Sequence, residues 1–215
     1  MKTQNKNILL ALKQVRFLLI IIRTQYDKIF RATTTKQLNG NNSNTAPAED
    51  LKTSVTVLNE VTVHRGISSH LCNVDVFIHD RWITSVQGDG LLISTPTGST
   101  GYSVAAGSSM VHPQVQSTVI TPISPHSLSF RPVVVPSSVN IKIKVSENAR
   151  SSVLVSFDGK DPVELCQGDV LNVTTSEYSV PCVCNSSPVD DWFNSIRDCL
   201  LWNCRLQQKK LNASK

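Results

Sequence analysis

Residues 54–66 read SVTVLNEVTVHRG, and valine occupies every second position on either side of a Leu-Asn-Glu corner. Val55 and Val57 precede the corner, and Val61 and Val63 follow it. Successive side chains of a β-strand point to opposite faces of the sheet, so a period of two predicts strands with one buried face. We therefore expect β-structure from about residue 54 onward.

The same alternation recurs along the rest of the chain. It predicts further strands at residues 74–78, 82–86, 139–145, 153–157 and 170–174, with a turn at Asp80 and Arg81 between the first two. Lys142 and Lys144 take the face opposite Ile141 and Ile143. Many short strands separated by Gly, Pro or Asp turns predict a mainly β fold of the sandwich type.

The last segment has a different pattern. Pro188 stands at a first-turn position, Asp190 and Asp191 follow it, and apolar residues recur at helical spacing from Trp192. This predicts a capped amphipathic helix that packs its Trp192 face on the sheet and ends near Lys209 and Lys210. The globular domain is then residues 54–211, with a tail at 212–215.

The first 53 residues do not show the β pattern. Residues 1–31 carry apolar side chains at helical spacing among basic ones, and residues 32–53 are polar without periodicity. We expect a basic amphipathic helix over 1–31 and a linker or loop over 32–53. Such a helix could serve as a presequence or as a membrane-surface helix. We favour the alternative that it is part of an incomplete domain. Its apolar run at 17–22 is too short to span a bilayer.

The distribution of charge and the spacing of the cysteines argue against a nucleic-acid-binding protein and against a zinc site. Residues 1–50 hold eight Lys or Arg against three acids, and the remaining residues hold thirteen of each, so the domain shows no basic stripe for nucleic acid. The six cysteines lack paired CxxC spacing, which favours free, buried thiols over a zinc site at Cys182, Cys184, Cys199 and Cys204. With no cleavable signal peptide visible, we expect a reducing, cytoplasmic setting.

Residues 88–107 read GDGLLISTPTGSTGYSVAAG and are the candidate site. A carboxylate lies between two glycines, and a loop rich in hydroxyls and backbone amides follows, with one aromatic ring at Tyr102. Glycine lets the backbone approach a ligand, and Ser and Thr can donate to phosphate or ribose oxygens. The sequence is neither a Walker loop nor GxGxxG, and an ordinary polar turn remains the alternative.

Five motifs in order resemble NAD kinases. They are NEV at 59–61, QGDG at 87–90, STPTGST at 94–100 with Tyr102, PHSLSFRP at 125–132 and SFDG at 156–159. Residues 58–211 are similar to the carboxy-terminal domain of the animal cytosolic type. The resemblance implies that family's β-sandwich with a carboxy-terminal helix, preceded here by an α-helical or unstructured segment.

The resemblance also implies a dinucleotide site. Asn59 would bond the adenine edge, Glu60 would accept from the ribose hydroxyls, and Asp89 would contact the dinucleotide. The loop that wraps the ligand would contain Thr100, Gly101, Tyr102, Ser103 and Ala105. Asp158 would be a further acid that lines the site. His70 falls where some members place a ligand contact, although a lone His is more often a surface or core residue.

The function implied is that of an NAD kinase, which phosphorylates the adenosine ribose 2′-hydroxyl of NAD with ATP and Mg²⁺ or another divalent ion. The family's amino-terminal Gly-Gly-Asp-Gly, whose Asp is the general base, does not occur in these 215 residues. We therefore assign no catalytic residue and no metal ligand, and expect impaired catalysis. The alternative is a non-catalytic NAD(P)-binding fragment or a regulatory partner of a full-length kinase. A homo-oligomer is implied; membrane association through 1–31 is less favoured.

Overall fold

The computed structural model describes residues 25–36 and 51–205, and most of them form β-strands. The strands of this described part are β1 Gln25–Lys36, β2 Leu51–Val57, β3 Glu60–His64, β4 Cys72–Ile78, β5 Arg81–Gly88, β6 Gly90–Ser94, β7 Ser117–Ile123, β8 Val133–Pro136, β9 Ile141–Val145, β10 Val153–Phe157, β11 Lys160–Leu165 and β12 Val170–Cys182. A 3₁₀ turn at Thr97–Thr100 and a short helix α1 at Tyr102–Ala105 follow β6, and helix α2 covers Pro188–Leu200.

The strands form two six-stranded sheets. The first sheet has the order β2-β1-β12-β9-β4-β5, and the second has the order β11-β10-β3-β6-β7-β8. One apolar core contains residues of both, such as Val74 and Ile143 from the first and Val63 and Leu91 from the second. The prediction of a mainly β sandwich is therefore confirmed.

Two short corners carry the chain from the first sheet to the second. Leu58 and Asn59 join β2 to β3, and Asp89 joins β5 to β6. A strand that changes sheets leaves its ladder, so backbone groups at the corner need other hydrogen-bond partners. Both corners contain residues of the predicted dinucleotide site.

The alternating patterns of the sequence correspond to observed strands. In β4, β9 and β10 buried side chains alternate with partly exposed ones, and Lys142 and Lys144 lie opposite the buried Ile141 and Ile143. Lys144 forms an ion pair with Glu147 at 2.7 Å. The period of two therefore identified the core face of these strands correctly.

The segment before residue 54 differs from the prediction where the structure describes it. Residues 25–36 and 51–57 form an antiparallel β1–β2 pair in which Ala32 lies opposite Val55, so neither the helix nor the linker extends over these residues. Ala32 and Thr34 are buried, and Thr33 and Thr35 are partly exposed, which is a strand period. The rest of the predicted helix and linker, at 1–24 and 37–50, lies outside the described residues.

Helix α2 belongs to a compact unit separate from residues 26–181 and is described by itself. The Ser187 side chain caps its first turn by accepting the Asp190 N–H at 3.1 Å, and Pro188 opens the helix as predicted. The helix ends at Leu200 rather than near Lys209, because Leu201 adopts a left-handed conformation (φ 51°) and its N–H bonds to the Ile196 carbonyl. The packing of Trp192 on the sheet stays a prediction.

The six cysteines differ in burial, and Cys182 is half-buried. Cys72 and Cys184 are buried, whereas Cys166, Cys199 and Cys204 are exposed, so the expectation of buried thiols is wrong for these three. Over residues 25–36 and 51–205, no three His, Cys, Asp or Glu side chains converge as metal ligands. Within the same residues, no helix has the length and apolar character needed to cross a bilayer.

Native protein treated with iodoacetamide is expected to be alkylated at Cys166 and to remain unmodified at Cys72. Burial raises the pKa of the Cys72 thiol to about 12, and the thiolate is the reactive form. Peptide mass spectrometry before and after unfolding in guanidinium measures both sites in one sample. Equal alkylation of Cys72 and Cys166 in the native protein would contradict the packing of Cys72 in the core.

Candidate functional site

The corner formed by residues 58–60 is held by one carboxylate. Asp158 accepts the Leu58 N–H at 2.9 Å through Oδ2, and the Asn59 and Glu60 N–H groups at 2.7 and 3.1 Å through Oδ1. Asp158 itself lies with Gly159 in the two-residue turn between β10 and β11. Both have positive φ, 49° and 70°, as a tight hairpin of this twist requires. Asp158 therefore links this hairpin to the corner between the sheets.

The segment after β6 holds the same corner from another side. Thr95 donates its backbone N–H to the Asn59 carbonyl and its hydroxyl to the Leu58 carbonyl, both at 2.8 Å. The Thr95 hydroxyl also accepts the Gly98 N–H at 3.1 Å. A Cβ at Gly98 would lie 2.2 Å from the Asn59 carbonyl oxygen, so only glycine fits here. Residues 58–60 are thus held by two segments distant in sequence.

Several hydroxyls of the 95–107 loop face the protein rather than an open cleft. Ser99 donates to the Pro96 carbonyl at 2.6 Å and accepts the Val111 N–H at 2.8 Å. Ser103 is fully buried, and its hydroxyl lies 3.0 Å from that of Thr121 on β7. These hydroxyls hold the loop on the outer face of the second sheet. A ligand contact by Ser103 would therefore involve its backbone.

A cleft of about 400 Å³ lies beside the two corners, and we call it the carboxylate cleft. Its lining residues are Glu60, Thr62, His64, Arg65, Gly66, Asp89, Tyr102, Ile123, Ser156 and Gly159. Glu60, Thr62 and His64 come from alternate positions of β3 and share one face of the strand. Asp89 comes from the second corner, and Tyr102 comes from the start of α1. The cleft therefore combines two carboxylates with an aromatic ring.

The two carboxylates have different electrostatic surroundings. The pKa of Glu60 is raised, first by its partial burial and second by the nearby negative charge of Asp158. Asp89 instead forms an ion pair with Arg65, whose Nε lies 2.7 Å from Asp89 Oδ1. Sequence reasoning missed Arg65. The one signal that could have found it is the pairing of β3 with β6, which places His64 opposite Gly90.

Gly90 is required by packing of the chain, and Gly88 is closely packed. A Cβ on Gly90 would lie 2.2 Å from the Val63 carbonyl oxygen, and one on Gly88 would lie 3.0 Å from backbone atoms of Ile123 and Pro125. The space that these glycines leave is therefore filled by neighbouring backbone. Their effect on a ligand is indirect, through the position of Asp89.

The predicted site residues are only partly brought together. Glu60, Asp89 and Tyr102 share the carboxylate cleft, and Asn59 and Asp158 build the corner that places Glu60. Tyr102 also lines a second cleft of about 590 Å³, together with Ala105 and the segment from Pro122 to Pro132. Thr100 is half-buried and Gly101 is exposed beside Tyr102.

His70 lies apart from the carboxylate cleft. It lines a third cleft, of about 500 Å³, with Asn73, Gln87, Asn148 and Arg150. Its predicted contact with the ligand stays a prediction.

Two glycines of the loop are expected to differ in how strongly substitution by alanine destabilises the protein. Gly98→Ala should lower the free energy of unfolding by about 1–3 kcal/mol, since its Cβ would displace the Asn59 carbonyl. Gly101→Ala should change it by less than about 1 kcal/mol, because the nearest atom to its Cβ is 3.5 Å away. Urea unfolding of both variants measures the difference, and equal stabilities would contradict the close approach at Gly98.

Comparison with known proteins gives a consistent result. Residues 58–184 match the family model described as ATP-NAD kinase C-terminal domain. The chain is 51% identical over 155 residues to NAD kinase 2, chloroplastic, of Arabidopsis thaliana, covering 72% of this chain and 16% of that protein. It is 47% identical over 153 residues to the NAD(+) kinase of Saccharomyces cerevisiae, covering 71% and 28%. The chain thus spans less than a third of either relative.

Solved structures show the same similarity. The crystal structure of yeast NADH kinase complexed with NADH matches with a TM-score of 0.73 at 32% identity, over 87% of this chain and 51% of that one. An NAD kinase from Archaeoglobus fulgidus, solved in complex with ATP, matches with a TM-score of 0.66 at 20% identity, over 86% and 64%. The second similarity concerns the fold alone. The resemblance deduced from the five motifs is confirmed.

Proposed function

Because the chain belongs to the ATP-NAD kinase family, we propose that its carboxylate cleft binds NAD, the substrate that ATP phosphorylates to NADP. The observation that carries this proposal is the convergence of Glu60, Asp89 and Tyr102 on one cleft. A carboxylate accepts two hydrogen bonds from a ribose diol, and an aromatic ring offers a face to a base. A cleft of about 400 Å³ is at the small end of ligand sites, so it takes part of the dinucleotide.

The proposed roles are those that the resemblance to NAD kinases implies. Asn59 bonds the adenine edge and Glu60 accepts from the ribose hydroxyls, while Asp89 contacts the dinucleotide from the other corner. Tyr102 and the loop backbone at Thr100, Gly101, Ser103 and Ala105 enclose the ligand. Asp158 acts by fixing the corner, since both its oxygens already accept backbone N–H groups. His70 contacts only a part of the dinucleotide that extends beyond the cleft.

The phosphoryl donor is ATP, with Mg²⁺ or another divalent ion on its phosphates. Within the described ranges, no three carboxylate, His or Cys side chains are arranged to bind such an ion. We therefore assign no metal-dependent step to side chains of this chain. The reaction joins the 2′-oxygen of the adenosine ribose to the γ-phosphorus and releases ADP and the hydroxyl proton. We assign the general base to no residue of this chain.

A second function, non-catalytic binding of NAD or NADP, is favoured by the contacts that Asp89 and Asp158 make. Asp89 is ion-paired to Arg65, and Asp158 accepts three backbone amides, so both carboxylates already have partners within the protein. Such a module would act as a fragment or as a partner of a full-length kinase. We further propose a homo-oligomer and a cytoplasmic location.

The direct test is a calorimetric titration of the purified chain with NAD, with NADP formation from ATP, Mg²⁺ and NAD followed in parallel by a coupled dehydrogenase. Binding with turnover supports the kinase, and binding without turnover supports the non-catalytic module. Failure to bind NAD or NADP at millimolar concentration would contradict the proposed site.

Glu60→Gln is expected to weaken NAD binding by about 10- to 100-fold, because it removes a charged hydrogen-bond acceptor. The same variant should be more stable than the wild type at neutral pH. The folded-state pKa of Glu60 is raised, so ionising it costs stability as the pH rises from the ordinary glutamate value through the raised one. The difference in stability should therefore shrink as the pH falls below the ordinary pKa of glutamate.

Glu147→Gln is the matched control, since Glu147 is an exposed acid paired with Lys144 away from the cleft. Calorimetry gives the affinities, and thermal unfolding between pH 4 and pH 8 gives the stabilities. An equal effect of the two substitutions on NAD affinity would show that Glu60 does not bind the ligand.

A further inference from the structure

Arg65 occupies a fixed position at the edge of the carboxylate cleft. It follows β3 and begins a tight turn in which the Ser68 N–H donates to the Arg65 carbonyl at 3.2 Å. Gly66 has a φ of 62° within this turn, and its N–H donates to Nδ1 of His64 at 3.1 Å. The Arg65 N–H donates to the Asp89 carbonyl at 3.1 Å. The backbone of Arg65 is thus tied to the corner that carries Asp89.

The Arg65 side chain is held at two further points. Nε donates to Asp89 Oδ1 at 2.7 Å, and Nη1 donates to the Ser68 carbonyl. The guanidinium group is planar, with donors in a fixed fork, so these two contacts fix its orientation. Both side chains of the ion pair are partly exposed, 34% for Arg65 and 42% for Asp89, and both line the cleft. The pair therefore borders the space that a ligand enters.

Negatively charged side chains border the carboxylate cleft. Glu60 and Asp89 line the cleft, and Asp158 lies close enough to Glu60 to raise its pKa. Among the described residues that line this cleft, Arg65 is the one Lys or Arg. NAD carries a negatively charged pyrophosphate, which an unpaired carboxylate would repel at short range. Pairing with Arg65 removes the net charge of Asp89.

We propose that Arg65 is a positioning residue that orients the Asp89 carboxylate and neutralises it, so that an anionic dinucleotide can occupy the cleft. This role rests on the proposed binding of NAD. It concerns the phosphate-bearing ligand in particular, because a neutral nucleoside does not experience the repulsion.

The test compares NAD with adenosine, which has the same nucleoside and no phosphate, as ligands in calorimetric titrations. Arg65→Gln should lower NAD affinity about tenfold and adenosine affinity less than about twofold. The NAD loss should shrink at high salt, which screens the repulsion. Arg65→Lys keeps the charge without the fork and should give an intermediate loss. Arg81→Gln, at an exposed position on β5, is the matched control and should change neither affinity.

A double substitution tests whether Arg65 acts by neutralising Asp89 or whether its removal disturbs the structure in general. Arg65→Gln with Asp89→Asn removes both charges, and its NAD affinity should return to within about threefold of that of Asp89→Asn alone. This variant also covers the case in which Arg65→Gln alone fails to fold. Equal losses for NAD and adenosine, or no recovery in the double variant, would overturn the role of Arg65. Absence of NAD binding by the wild type would instead overturn the proposed function.

Discussion

The Asp158 carboxylate accepts three consecutive backbone N–H groups, those of Leu58, Asn59 and Glu60, at 2.7–3.1 Å. These groups lie where the chain leaves the first sheet and enters the second, so the ladders of neither strand satisfy them. A charged acceptor forms stronger hydrogen bonds than a neutral one and can serve several donors at once. One side chain therefore satisfies the backbone at the point where the chain changes sheets.

The candidate site depends on this arrangement because its acids come from such crossings. Glu60 is the first residue of β3 after one corner, and Asp89 joins β5 to β6 at the other. Thr95 and Gly98 fix the first corner by hydrogen bonds and close contact, and Arg65 fixes Asp89. Side chains held by such surrounding contacts need little reordering on binding, which lowers the entropic cost of binding a ligand.

Part of the fold could be predicted from the sequence because its strands have one buried face. The patterns of β4, β9 and β10 are of this kind. Strand β7, Ser117–Ile123, was not predicted, since six of its seven residues are buried and no alternation results. Strand β1 could not be predicted because the apolar residues that favour a helix over 1–31 lie at positions 8–22, before the strand begins.

The motifs of the sequence predict the candidate site, but several side-chain contacts within it could not be predicted. Ser103 and Asp158 were predicted to contact a ligand, yet their side chains bond to Thr121 and to backbone amides. Hydrogen-bond partners 18 and 99 residues apart in the chain depend on the tertiary fold, and no local pattern encodes them. For the same reason the Arg65–Asp89 pair became visible only with the register of β3 and β6.

The most direct measurement is the NAD affinity and thermal stability of Asp158→Ala beside Asp75→Ala. Asp75 is an acid of β4 in the first sheet whose carboxylate accepts from Ser85, so its removal leaves the corner intact. We expect Asp158→Ala to lose about 1–3 kcal/mol of unfolding free energy, to remain folded and to bind NAD at least about tenfold more weakly. Wild-type NAD affinity in Asp158→Ala, or an equal loss in Asp75→Ala, would show that the corner does not form the binding site.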